Sequence, residues 1–128
     1  MEPNFELFEE GQRERHGRRM HVTLNRHGHL FFNARALAEL GQPDCVALLF
    51  DPKLQVIGVM ATTLDKKHAY ELRSKKGMGR ARMITAKNFC ERYGIKPKET
   101  VAFVDAKVNK DGVLVLDLQK VVPVTRDK

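Results

Sequence analysis

Histidines at positions 16, 21, 27 and 29 fall close together, and the tripeptide HGH formed by His27, Gly28 and His29 has the spacing of a metal-ligand pair. A metal centre needs further thiolate or carboxylate donors at a recognisable spacing. None completes this set, so no metal and no other cofactor is expected. Cys45 and Cys90 sit among apolar neighbours, whereas a nucleophilic thiol needs electropositive, partly open surroundings. Both read as reduced, buried thiols. The run GMGR, residues 77–80, has the glycines of a phosphate loop but lacks the lysine and the strand-to-helix context that such a loop requires. Asp51, Asp105, Asp111 and Asp117 fall at the ends of expected hairpins, where turn chemistry explains them. No acid and base pair assembles, and the chain is not expected to be an enzyme.

The chemistry that remains is charge. The 128 residues carry a formal charge of +7, which attracts polyanions. Between Asp65 and Arg82 seven lysines and arginines face two carboxylates, leaving +5 on this one stretch. Within it Arg73, Lys75, Lys76, Arg80 and Arg82 are candidate contacts to nucleic acid, phosphate contacts giving salt-sensitive affinity and arginines at base edges adding preference. Arg26, His29 and Arg35 are expected to flank the same face from the first half of the chain. Arg18 and Arg19, with Arg13 and Arg15, form a basic arm that could follow a groove. Lysine-rich runs are commonly no more than solvated loops; the clustering beside two turns favours binding.

The elements that must position these residues are legible. Residues 1–19 lack sustained periodicity and read as a flexible N-terminal arm with apolar Phe5, Leu7 and Phe8. MHVTLN and LFFN, separated by the turn RHGH, predict a hairpin. Asn33 can cap the short helix ARALAEL, and Gly41 supplies its left-handed stop. CVALLFD and QVIGVMATT, around Pro52, predict a second hairpin. HAYELRS reads as an extended edge, KKGMGR as a basic turn and ARMIT as a strand. AKNFCERY reads as a helix with Phe89, Cys90 and Tyr93 turned inward and Gly94 as its stop. TVAFVDAKV and VLVLDLQK flank the Asx-Gly turn NKDG, and VVPVTRDK reads as a tail.

Gly41 matched to Gly94 aligns the two halves without a gap back to the turn: His29 falls on Arg82, Phe32 on Thr85, Asn33 on Ala86 and Leu37 on Cys90. A unit of hairpin, helix and hairpin is therefore expected twice, as residues 20–63 and 66–120. Neither unit holds enough apolar surface to fold alone, so the two are expected to share one core within a single domain over residues 20–122, with a tail over 123–128.

GIKPKETVAF after a short helix, and RHGHLFFNARALAELGQPDCVALLFD in the first half, resemble the AbrB and MazE superfamily of swapped-hairpin barrels. The likeness covers roughly residues 20 to 120. Tandem copies in one chain are similar to the MraZ-type arrangement. The resemblance implies a mostly β fold with two short helices: a swapped-hairpin β-barrel built from two ββαββ repeats in one chain. It further implies a bacterial DNA-binding transcription regulator, with contacts from arginines of the first hairpin and its turn. His29 in the first copy and Arg82 in the second occupy the commonly basic place after the turn glycine. In the second copy Ala81 replaces that glycine.

Duplex DNA is the expected partner, bound through the basic hairpins and arm. A non-enzymatic adaptor that binds protein through Phe5, Leu7 and Phe8 is the alternative from another class, and an RNA or single-strand binder is the third. Association into homo-oligomers is one expectation for such a chain. No apolar run is long enough for a membrane span, and a cytoplasmic protein is expected.

Overall fold

Alternation explains the first hairpin. In β1 (Val22–Leu24) and β2 (His29–Phe32) the register sets Val22 against Phe32 and Leu24 against Leu30. Leu30 and Phe32 point into the core, while His29 and Phe31, on the opposite face of the pleat, stay partly exposed. The structure, a computed structural model, describes residue 4 and residues 19–124 except 64, 75 and 78. Most of the expected arm and the last residues of the expected tail, 125–128, lie outside the described residues.

Helix α1 (Ala34–Glu39) begins where Asn33 accepts a hydrogen bond on Oδ1 from the Ala36 amide at 2.9 Å, satisfying an amide that the helix start leaves open. It ends before Gly41, whose φ of 86° is the left-handed conformation expected. Strands β3 (Cys45–Asp51) and β4 (Val56–Thr62) then pair from Cys45↔Thr62 to Asp51↔Val56. Asp51 builds their turn by accepting from the Lys53 and Leu54 amides, each at 3.0 Å. The second half contributes β5 (Tyr70–Glu71), β6 (Arg82–Thr85), α2 (Lys87–Tyr93), β7 (Val101–Phe103), β8 (Lys107–Val108), β9 (Leu114–Asp117) and β10 (Val121–Pro123).

These strands form two five-stranded antiparallel sheets, in the orders β10-β7-β1-β2-β6 and β5-β3-β4-β9-β8. The chain is thus mostly β with two short helices, and neither sheet closes on itself. Each sheet takes strands from both halves. Leu24, Leu30, Phe32 and Ile84 from the first sheet meet Ile57, Val59, Leu114 and Leu116 from the second in one core.

Three expectations need correction. TVAFVDAKV is not one strand: Asp105 takes φ 60°, a left-handed conformation that does not continue a strand and that Asp adopts more readily than most L residues, and the chain leaves the first sheet after Phe103 to enter the second at Lys107. VLVLDLQK holds one strand, β9, but the apolar start of the supposed tail becomes strand β10. Pro123 is tolerated there because β10 is the outer strand of its sheet, where a missing amide breaks no ladder. Tyr93, expected inward, is 42% exposed; it lies in the last turn of α2 and covers Phe50, with ring centroids 4.5 Å apart.

Phe32 has no solvent exposure. Phe32→Ala is expected to lower stability by about 3–5 kcal/mol, whereas Leu49→Ala on the outer face should change it by roughly 0.5 kcal/mol or less. Urea denaturation of the two variants checks the difference.

Candidate nucleic-acid interface

The first turn is held by one side chain. Asn25 accepts on Oδ1 from the amides of His27 at 2.9 Å and His29 at 3.0 Å, while its own amide donates to the His29 carbonyl at 3.1 Å. The loop is thereby fixed from inside, and Arg26 and His27 are left exposed at its tip. Gly28 has φ 82°, and a Cβ there would come within 2.8 Å of the Lys87 Cα. Its carbonyl accepts from the Ala86 amide at 2.7 Å. Ala86 offers no capping side chain of its own, so the first turn takes up an amide at the start of α2. Conformation and close approach together require glycine at this position.

The second turn is longer. Between the bridged residues Arg73 and Met83 run nine residues, 74–82, against five, 25–29, between Leu24 and Leu30. Gly77 and Gly79 have positive φ, and no described residue lies within 4 Å of where a Cβ would stand, so neither position is held by the close approach seen at Gly28. Arg82 steadies its base, donating from Nη1 to the carbonyls of Gly79 at 3.0 Å and Ala81 at 2.8 Å. At the start of α1 the Asn33 amide is already taken by the His21 carbonyl at 3.1 Å. No contact like that of Gly28 with Ala86 is made, and a groove of about 450 Å³ lies beside α1, with Arg35, Arg80 and Arg82 on its walls together with Leu37, Leu72 and Asp44.

Three of the expected contact residues, Arg35, Arg80 and Arg82, therefore come together from the two halves of the chain. Arg35 also pairs with Glu39 at 3.0 Å across one helical turn, a partly exposed pair that leaves its other donors available. Arg26 and His29 lie at the opposite end of the β2–β6 ladder, where His29 is paired with Thr85. Arg73 stands at the sheet margin, 3.7 Å from Glu71, and Lys76 is exposed in the long turn. Arg19 is exposed, and its carbonyl accepts from Asn33 Nδ2 at 2.9 Å, which sets the end of the arm at the start of α1. Lys75, Arg18 and the apolar Phe5, Leu7 and Phe8 lie outside the described residues.

Reading by charge missed Phe31 and Met83. They pair with each other on the face opposite the core, between the two basic turns, and the His29 ring meets Phe31 edge-on at 6.3 Å. Alternation with Leu30 and Phe32 was the available signal. It also missed Asp44 and Leu72, which reach the groove through a backbone bond, Leu72 amide to Asp44 carbonyl at 2.9 Å, that links distant parts of the sequence.

The remaining reactive groups are quiet. Burial pushes the Cys45 thiol up, with the Glu71 and Asp44 carboxylates adding to the effect, and burial does the same to Cys90. Neither is a ready nucleophile. Burial also raises the Tyr70 hydroxyl, against the lowering effect of its donation to Asn88 Oδ1 at 2.9 Å. Among the described residues no group of three or more His, Cys, Asp or Glu side chains is placed to hold a metal ion, and no helix is long and apolar enough to cross a membrane.

Gly28→Ala is expected to cost about 2–4 kcal/mol, from left-handed strain plus the clash with Lys87. Gly77→Ala, which meets only the strain, should cost about 1–2 kcal/mol in the same thermal or urea titration. A chromogenic disulfide reagent at neutral pH should modify Cys45 and Cys90 at the rate of unfolding, and rapidly once urea has unfolded the chain. In comparisons with known proteins, no family model, no curated protein and no solved structure matches the chain.

Proposed function

We propose that this protein is a non-enzymatic DNA-binding regulator of the AbrB-like kind, built as a swapped-hairpin barrel from two tandem repeats and contacting duplex DNA through its two basic turns. The observation that carries the proposal is their placement. The turns lie at the two ends of one short ladder, β2 with β6, and the second turn joins Arg80 and Arg82 to Arg35 from the other half. Cations on both turns, Arg26 at one end of the ladder and Lys76, Arg80 and Arg82 at the other, give duplex phosphates contacts at two separated points.

The register of that ladder supports the repeat. Gly41 and Gly94 are 53 positions apart, and under the same offset His29 corresponds to Arg82 and Phe32 to Thr85. His29 pairs with Thr85 and Phe32 with Arg82. The pairing maps onto itself when the two halves are exchanged, as a two-fold axis through the ladder requires. Barrel closure is supported by two links between the sheets. Arg73 bridges Met83 across one gap; across the other, the hairpin of β7–β8 with β9–β10 pairs in both sheets.

A second reading has its own observation. Phe31 and His29 lie on the outer face between the turns, where exposed bases of a single strand could stack. Fluorescence anisotropy with labelled duplex and single-stranded pools, from low to near-physiological salt, separates these readings. For the duplex regulator, affinity should fall with a log–log slope of about −3 to −5 for a handful of phosphate contacts. Arg80→Ala should reduce that slope by about one, and Phe31→Ala should leave duplex binding unchanged. Preference for single strands that Phe31→Ala removes would favour the second reading. Salt-independent binding, or none to either pool, would overturn both.

A further inference from the structure

The groove between α1 and the long turn has a charge pattern that the chain itself can complement. Among the described residues its walls include three arginines, Arg35, Arg80 and Arg82, against one aspartate, Asp44, and its apolar members include Leu37 and Leu72. An occupant that suits it carries several carboxylates interleaved with large apolar side chains. Residues 5–10 read FELFEE: Glu6, Glu9 and Glu10 supply three negative charges, and Phe5, Leu7 and Phe8 supply apolar bulk.

The tether has the right length and origin. Arg19 is bonded through its carbonyl to Asn33, and Asn33 directly precedes Ala34 and Arg35 on the groove wall. The eight residues 11–18 lie between the acidic segment and Arg19, and such a stretch can span up to about 26–29 Å. Its attachment point is therefore beside the site, not across the molecule. No other six-residue stretch of the sequence combines three carboxylates with three large apolar side chains.

We propose that residues 5–10 of this chain occupy its own Arg35–Arg80–Arg82 groove, as an internal acidic ligand that a polyanion must displace. The carboxylates take donors that Arg35 and Arg80 have to spare, and the apolar side chains cover Leu37 and Leu72. Arg82 contributes mainly charge, since its Nη1 already serves the turn carbonyls. Occupancy of the groove does not depend on the nucleic-acid reading; the competition does.

The test uses the full chain and a fluorescein-labelled peptide with the sequence of residues 4–11. Three proteins are compared: the wild type, a released chain with Glu6→Gln, Glu9→Gln and Glu10→Gln, and the released chain also bearing Arg35→Gln and Arg80→Gln. A tethered segment acts at about millimolar effective concentration. The peptide should therefore bind the released chain about tenfold more tightly than the wild type, and binding should vanish in the arginine variant. Circular dichroism melts of all three guard against loss of fold. Equal peptide affinity for wild type and released chain, or affinity indifferent to the two arginines, would overturn the proposal. Sedimentation must show a monomer in both wild type and released chain; a wild-type dimer that the glutamine changes dissociate would place the segment in a second copy and overturn same-chain occupancy. Displacement of the peptide by duplex DNA would extend the proposal to competition. Binding of duplex with no peptide binding at all would assign the groove to nucleic acid alone and sink it.

Discussion

Four backbone pairs between β2 and β6, from His29↔Thr85 to Phe32↔Arg82, are where a strand of the first half meets one of the second. Everything else is arranged around them. Pairing in this register places Leu30 opposite Ile84, both fully buried, at the centre of the core. A slip by one residue would turn Leu30 and Phe32 to solvent and bring His29 and Phe31 inside. The same register decides which turn meets which helix. The Gly28 carbonyl reaches the Ala86 amide because β2 starts where β6 ends, and Arg80 faces Arg35 because β6 starts where β2 ends. The core and the charged surfaces are two consequences of one ladder.

Symmetry of pairing does not make the two ends alike. At one end a glycine with no Cβ lets backbone touch backbone, and the loop is locked from within by Asn25. At the other, Ala81 stands in the corresponding place, four more residues lengthen the loop, and the helix-starting amide is bound to His21 instead. The closed end fixes two halves together; the open end offers a cavity with three arginines. One end of the ladder is closed by packing, and the other leaves open space.

Local chemistry was legible in the sequence wherever a single residue dictates the backbone. Asn33 capping α1, Gly41 and Gly94 in left-handed conformation, Asp51 building its turn and Asn109 accepting from the Asp111 and Val113 amides all follow from side chains within a few residues. The seven-residue pair of β3 and β4 was equally plain, since its β-branched content and Pro52 bracket both strands. The bend at Asp105 was not, because a non-glycine residue at positive φ carries no mark in the sequence. Val121–Pro123 read as a tail because proline argues against strands in general, and only the sheet order reveals an outer position where it is harmless. The groove was least legible, for its walls are separated in sequence and joined only by the fold.

The outer strands have a consequence for how the molecule behaves among its own kind. β5 and β8 are two residues long, β10 ends in a proline, and β6, with four residues, has the bridge from Arg73 along its outer side. Little unpaired backbone remains for another chain to join. A crowded solution thus meets a surface that cannot easily be extended strand by strand, so encounters between copies are left to side chains and their charges. With those predominantly positive, close approach is opposed before any backbone can pair.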